Sequence, residues 1–543
     1  MTNLLAGARL AMTVLLAGAR LALAVLLAGL AAAPAVAHVG SPDTWYEGKA
    51  GPYPLRVVVR APGVVPGLAE ISVRVLEGHP SKVTVQPFAW NAGEHGAPPP
   101  DVAAPVPGDA QLYSVSLWFM VTTSYGVHVV VSGDRGTGFA IVPVQAVPTR
   151  RLPLEGSLLA TLIGLGVFLV VGLLTLVGSA HREASLPPGV EPQANEKRRA
   201  RLGMAISAAL LVAALAGGRS WWNSEDQAYA RAMYRPFHIR TQVSEQAGTR
   251  VLALAIDDER WGGRRWSPLI PDHGKLMHLF LVRDGDMGAI AHLHPVLRDS
   301  SHFESLLPPL PAGLYRVYAD IVHESGFAQT LSDSVRIAAP RPTTETRLAR
   351  TASESKIVVS VASDSDDSWF NGPVTAEASG DARCMLADGS TLVWQRGAAP
   401  LVEGAEAPLR FVVLAADGSP ARLEPFLGMA GHAMLRRDDG AVFAHLHPIG
   451  SVPMASQMAL EMRTPADSVL GTLGRRMTLA GAATPGIAHD MAAMAVPADL
   501  PGEFAIPYGF PRSGKYRMWL QVKLAGRVQT AAFDLTVQPA RKS

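Results

Sequence analysis

The chain has almost no cysteine. Of its 543 residues only Cys384 carries a thiol, which excludes an intramolecular disulfide framework and any multi-thiolate zinc or iron–sulfur site. Cys384 itself reads as a small, buried or half-buried side chain and not as a ligand. An excess of charge of one sign is also missing: 48 Lys and Arg stand against 46 Asp and Glu, a net charge of +2. Bulk electrostatics therefore points to neither nucleic acid nor a strongly anionic surface as partner. The sequence holds no Ser/His/Asp set, phosphate-binding glycine loop or nucleotide fingerprint, and its Gly-x-x-Gly patterns fall in turns. Glycine and proline, by contrast, are plentiful at 51 and 42 residues, as turn-rich β modules require. The length allows roughly three to four domains.

The N-terminus is apolar and basic. Arg9 and Arg20 precede an apolar run from Leu21 to Leu30, and Ala35-Val36-Ala37 supplies an A-x-A cleavage site. This pattern predicts a signal peptide over 1–37, with His38 as the mature N-terminus; an uncleaved anchor is the alternative. Two further apolar spans follow, from Gly156 to Ala180 and from Leu202 to Gly218. The first is long enough for a membrane helix and the second is near the lower limit, where a soluble core helix is the competing reading. The loop between them carries Arg182, Lys197, Arg198, Arg199 and Arg201, so the positive-inside rule places it in the cytoplasm and both flanking regions outside. Trp221-Trp222 reads as an interfacial anchor, and Asn223 to Pro236 as a juxtamembrane segment.

The rest reads as mainly β: immunoglobulin- or cupredoxin-like β-sandwich modules interrupted by a two-helix transmembrane hairpin. Segments such as Leu55 to Arg60, Ala69 to Leu76, Leu112 to Phe119 and Tyr125 to Val131 are rich in β-branched and aromatic residues between Gly/Pro turns. The expected organisation is a signal peptide over 1–37, a sandwich over 38–150, the hairpin over 151–222, and two sandwiches over 223–340 and 341–543. The last two are related. Val251 to Ile256 parallels Leu409 to Leu414, and Ala312 to Tyr318 parallels Ser513 to Trp519.

Within this repeat a histidine cluster occurs twice. His278 leads an apolar segment, an Asp/Gly turn follows, and His292-Leu293-His294 closes on Pro295. His432 leads the second copy, which closes on His445-Leu446-His447 and Pro448. Residues two apart on a strand share a face, so each pair sets two imidazoles side by side with a third on the preceding strand. Such a set suits copper, zinc or nickel. The bland reading is a pair of inherited structural motifs whose imidazoles bond neighbouring loops. If metal binds, each module is expected to hold its own ion, so that losing His292 and His294 spares the site of His445 and His447. Met277, Met287, Met429 and Met434 near the clusters bias the metal toward copper, with zinc the alternative. The loop of His489, Met491 and Met494 is a further ligand candidate. His38 is another, because a terminal amine and its imidazole chelate copper(II), with His79, His95 or His128 as partner. His323 lies near the first cluster but has no counterpart in the second copy.

The Leu-Val-Arg-Asp stretch running to Ala-His-Leu-His-Pro, followed by the Pro-x-Gly-x-Tyr-Arg-Val strand, resembles bacterial secreted β-sandwich domains of the YtkA-like sort. The His38 start is similar to copper-resistance proteins of the CopC-like type. These resemblances imply sandwiches outside the cytoplasm, in several cases linked to copper handling. No Cys stands beside the paired His, so a blue-copper centre is not supported. The expected function is a membrane-anchored, periplasmic transition-metal protein that stores, carries or senses copper and leans away from catalysis. Its partners would be the lipid bilayer of the inner membrane, the metal ion and another envelope protein. The alternatives are an envelope interaction scaffold with structural histidines, and a copper oxidase or monooxygenase working at His38.

Overall fold

A computed structural model describes residues 42–187, 189–246, 249–261, 268–339, 364–377, 380–407, 409–481 and 499–541. The signal peptide, His38, the linker at 340–342 and the loop of His489, Met491 and Met494 lie outside the described residues. The chain is mainly β, with antiparallel sheets and two long apolar helices.

The N-terminal module packs two sheets. One runs in the order Asp43–Ala50, Tyr53–Arg60, Gly67–Val75, Asp109–Phe119, Ala104–Val106; the other is Asp101–Val102, Pro80–Ala89, Thr123–Gly133, Gly136–Ala146. Gly67–Val75 alternates buried and outward residues, as period two demands of a strand with one face on a core. Ile71 and Val73 from the first sheet meet Val85 and Val129 from the second in one apolar cluster. The stretch from Gly93 to Asp109 forms a short helical turn and two short edge strands.

Two helices follow, Gly156–Glu183 and Ala194–Ala232, both long and apolar enough to cross a membrane. The second starts inside the basic loop, where Gln193 and Glu196 form a capping box. It also runs ten residues past Trp222, through the segment expected to be a juxtamembrane connector. Glu225, Asp226, Gln227, Ala228 and Ala230 are ordinary to good helix formers, and no proline intervenes before Pro236. Arg151 pairs with Asp226 at 2.9 Å, the Tyr229 hydroxyl donates to the Arg150 carbonyl at 3.2 Å, and the Tyr234 amide donates to the Pro148 carbonyl at 2.8 Å. The hairpin therefore leaves and re-enters the β region at one place.

The middle and C-terminal modules repeat one plan. In the middle module His278–Arg283 pairs with both Ile290–Leu293 and Gly313–His323; in the C-terminal module His432–Arg437 pairs with both Phe443–Leu446 and Gly514–Leu524. The registers match: His278 faces Asp320 and Phe280 faces His292, as His432 faces Gln521 and Met434 faces His445. Leu279 and Leu281 point into the middle core, and Ala433 and Leu435 into the C-terminal core. The alternate residues Phe280, Val282, Tyr318, Met434, Phe443 and Trp519 form a separate cluster in which the two sheets pack on each other. Both faces of these strands are buried, which is why they read as unbroken apolar runs. Two further contacts bind the unit. Ser368–Phe370, beyond the linker, pairs with Ile290–Leu293 and widens the middle sheet. Trp45 of the N-terminal module sits in the C-terminal core, while Val452 sits in the N-terminal one.

Candidate metal centre

The strand face that carries Phe280 and Val282 toward the other module also carries His278, two residues earlier. The same logic brings His292 beneath Ile290 and His445 beneath Phe443. His294 and His447 lie just past the ends of their strands. The two histidine motifs are thus not on separate surfaces: they meet at one end of the joint between modules. Ring centroids of His278 and His445 are 5.4 Å apart, those of His292 and His445 5.6 Å, and those of His292 and His432 6.5 Å.

Among the described residues three groups of three have ligand atoms within 4.8 Å of one another: His278, His292 and His294; His273, His432 and His447; and His294 with the carboxylates of Asp364 and Asp367. The first triad is the expected one. The second corrects the expected independence of the sites, because His273 comes from the middle module while His432 and His447 come from the C-terminal one. His445 belongs to neither histidine triad. It stands between them, its Nδ1 3.3 Å from the Asp320 carboxylate of the other module. His273 was missed by the sequence reading. It lies in Pro271-Asp272-His273-Gly274, five residues before His278, and its counterpart in Pro425-Phe426-Leu427-Gly428 is Leu427. His273 and Leu427 have φ of 51° each, and the glycines after them 80° and 79°. The repeated turn was the available signal; the histidine in only one copy hid it.

The hydrogen-bond network fixes the tautomers of the first triad. Gln521 Nε2 donates to the hydroxyls of Ser368 at 2.8 Å and Thr530 at 3.2 Å, so its Oε1 accepts from His292 Nδ1 at 3.0 Å. His292 Nε2 is then a lone pair. His278 Nε2 donates to the Asp272 carbonyl at 3.2 Å, which leaves His278 Nδ1 a lone pair as well. These two lone pairs face each other at 3.2 Å with no proton to share in the neutral rings. His294 Nδ1 donates to Asp367 at 3.0 Å, and its Nε2 has no hydrogen-bond partner among the described residues. Three lone pairs remain, each ring oriented from behind by a carbonyl, an amide or a carboxylate, the arrangement that orients metal-bound imidazoles. The spacing fits too: a tetrahedron with metal–nitrogen bonds of ~2.0–2.1 Å has an edge of roughly 3.3 Å.

In the second triad both ring nitrogens of His432 and Nε2 of His273 lack a hydrogen-bond partner among the described residues, as does Nε2 of His445. A buried polar atom without a partner is costly, and here several are gathered in one place. Burial, and then repulsion among the rings, holds the pKa of His278, His292, His432 and His447 well below the ordinary value. Burial likewise lowers that of His273, against the pull of Asp272. The rings are therefore neutral at pH 7, the state that coordinates metal.

Met277 packs in the middle core, and Met287 and Met434 in the apolar cluster between modules, so the expected bias toward copper from these thioethers has no support. His323 does not join the triads: the ring bonds Gln329 at 2.8 Å and lies near Phe237 and Trp261. In the N-terminal module His79 pairs with Asp134, His128 lies beside Glu94 and His95 is exposed. Cys384 is buried, as expected.

No family model matches the chain, and no curated protein does. Solved structures give only distant likenesses. Latent PorU from Porphyromonas gingivalis is 8% identical at a TM-score of 0.14, covering 88% of this chain and 32% of that one. A putative membrane-anchored protein from Corynebacterium diphtheriae is 9% identical at 0.14, covering 92% and 98%. The tandem repeats of a large adhesion protein are 8% identical at 0.14, covering 87% and 71%. The chain thus spans about a third of the length of the first of these. At such TM-scores the likenesses carry no argument about fold or activity.

Proposed function

We propose that this is a membrane-anchored protein, outside the cytoplasm, that binds transition metal at the joint between its middle and C-terminal modules, and that the metal is copper in the cuprous state. The observation that carries this reading is the first triad: the buried imidazoles of His278, His292 and His294, whose ring nitrogens converge within 4.8 Å of one another. All-imidazole sites accept copper, zinc and nickel alike, so charge decides. Neutral ligands bring none; Asp367 stands behind His294, where the neighbouring Asp364 is offset by its ion pair with Lys275, and Asp272 lies 3.9 Å from His273. One negative charge balances a monovalent ion, while a divalent ion is left with uncompensated charge in a buried site. In this reading the modules are immunoglobulin- or cupredoxin-like, the basic loop at 182–201 faces the cytoplasm, and the protein stores copper or passes it to another envelope protein. The test is anaerobic titration of the full chain in nanodiscs with copper(I) against a competing chelator, and with zinc(II) in parallel. Two copper ions per chain are expected, one of them lost in His432→Ala. A parent chain that binds no metal at neutral pH overturns the proposal.

One observation favours a second reading. His292 bonds Gln521 and His445 meets Asp320 across the joint, so the same rings serve as polar cement of an interaction scaffold. On that reading substitutions destabilise the joint while metal binding is absent throughout.

A further inference from the structure

One end of the N-terminal module carries an exposed apolar tip. Leu68 and Trp118 are cross-strand partners on the outer face of a sheet, 51% and 56% exposed, and Met120 and Val121, 59% and 53% exposed, lie in the adjoining turn that crosses to the other sheet. The patch stops abruptly, because the next outward pair along the strands is Glu70 and Ser116. Such clustered exposure marks a contact surface, and three observations say with what. Thr123, at the end of this turn, pairs with Ala146, the last strand residue before the first apolar helix. The loop that precedes Leu68 accepts the Thr149 and Arg150 amides at its Gly63 carbonyl, at 2.9 and 3.0 Å. Arg151, next in sequence, is tied to Asp226 of the second helix. Trp222 lies four residues before Asp226, about 6 Å further along that helix. The tip therefore lies at the end of the module from which the apolar hairpin departs.

We propose that this tip is a lipid-binding surface: Leu68, Trp118, Met120 and Val121 enter the headgroup–acyl boundary beside the hairpin. The inference rests on the membrane reading of the two helices. Tryptophan favours this depth, where its ring is part apolar and part polar, and aliphatic side chains beside it gain by leaving water. The tip and the hairpin then hold the module at two points, which fixes its tilt and the height of the metal joint above the bilayer.

The test is site-directed spin labelling of the full chain in phosphatidylcholine–phosphatidylglycerol nanodiscs, with Cys384→Ala as background. Labels are placed through Met120→Cys at the tip, Val102→Cys at an exposed apolar position elsewhere on the module, and Leu169→Cys within the first helix. The Met120 label is expected to collide freely with oxygen and several-fold less with a water-soluble nickel chelate than the Val102 label. Equal nickel access at Met120 and Val102, with Leu169 shielded, overturns the tip proposal alone. Low access to both reagents at Met120 also overturns it, because protein and not lipid then covers the tip. Nickel access at Leu169 overturns the membrane reading and the tip with it.

Discussion

Acidification of the metal-free protein should open the joint between the modules, by an amount that follows from burial. His278, His292, His432 and His447 all titrate in the folded chain well below their ordinary value, which in the unfolded chain is about 6.5. Below pH 6.5 the unfolded chain takes up protons that the folded one refuses, so stability falls as pH falls and is complete above about pH 7.5. From pH 7.5 to 5.5 each such histidine withdraws up to about 1.4 kcal/mol, and the four together up to about 5.5 kcal/mol. Typical whole-domain stabilities are about 5–15 kcal/mol, so the loss is a large share of what holds the joint. Hydrogen exchange of the full chain in nanodiscs with chelator measures it, read at the amides of His278–Arg283 and His432–Arg437 and corrected for intrinsic rates. The strand Tyr53–Arg60, which has no histidine, serves as internal reference. Opening free energies at the joint that stay within about 1 kcal/mol across this range, while the reference behaves normally, would refute the argument that these rings are buried neutral.

Three further outcomes are expected. His273→Leu copies the residue found at the equivalent position 427 and should remove one metal equivalent by titration while changing stability by less than about 1 kcal/mol, as for other volume-tolerant swaps. Asp367→Asn removes the carboxylate behind His294 and should weaken metal binding at the first triad about 10–100-fold, as loss of an orienting partner does, read by competition with a chelator. Phe280→Ala empties the apolar cluster between modules, where Phe280 stacks on His292 at 4.4 Å; a loss of about 3–5 kcal/mol is expected in denaturant titration, with both metal equivalents weakened because the joint holds both triads.

Much of this architecture is written in local pattern. The strand Gly67–Val75 alternates as a half-buried strand must, and the uncharged run after Gly156 is long enough to be read by count alone. The doubled His-x-His motif gave six of the seven histidines now seen at the joint. What local pattern does not carry is which surfaces meet. His278-Leu-Phe-Leu-Val-Arg283 is apolar on both faces, which identifies a strand covered on two sides but not what covers it. The partner is another module more than a hundred residues away, met through the packing of Phe280, Val282 and Tyr318 on Met434, Phe443 and Trp519. Ser368–Phe370 was invisible for the same reason, since three residues returning across a linker leave no periodicity. Face alone removes Met277 from the ligand candidates: Met277 and His278 are adjacent and point in opposite directions.

The joint also explains why a duplicated module makes a site that a single one does not. Each copy offers the face its counterpart offers, and the contacts are reciprocal: His292 reaches Gln521, and His445, its equivalent, reaches Asp320, the equivalent of Gln521. That is the logic of a two-fold interface, enclosed within one chain. In a true homodimer both triads would be identical. Here duplication freed the copies to differ, and they differ where it matters for the ligand set. His273 faces a leucine at its counterpart position, so only one triad draws on both modules. Asp320 carries a charge and Gln521 does not, so the rings they orient differ in basicity. An ion in the His273 triad can leave only when the joint loosens, whereas the His278, His292 and His294 ligands stay together on one module when the sheets part. The two sites should therefore release metal unequally, with the mixed-module triad emptying first as acid opens the joint.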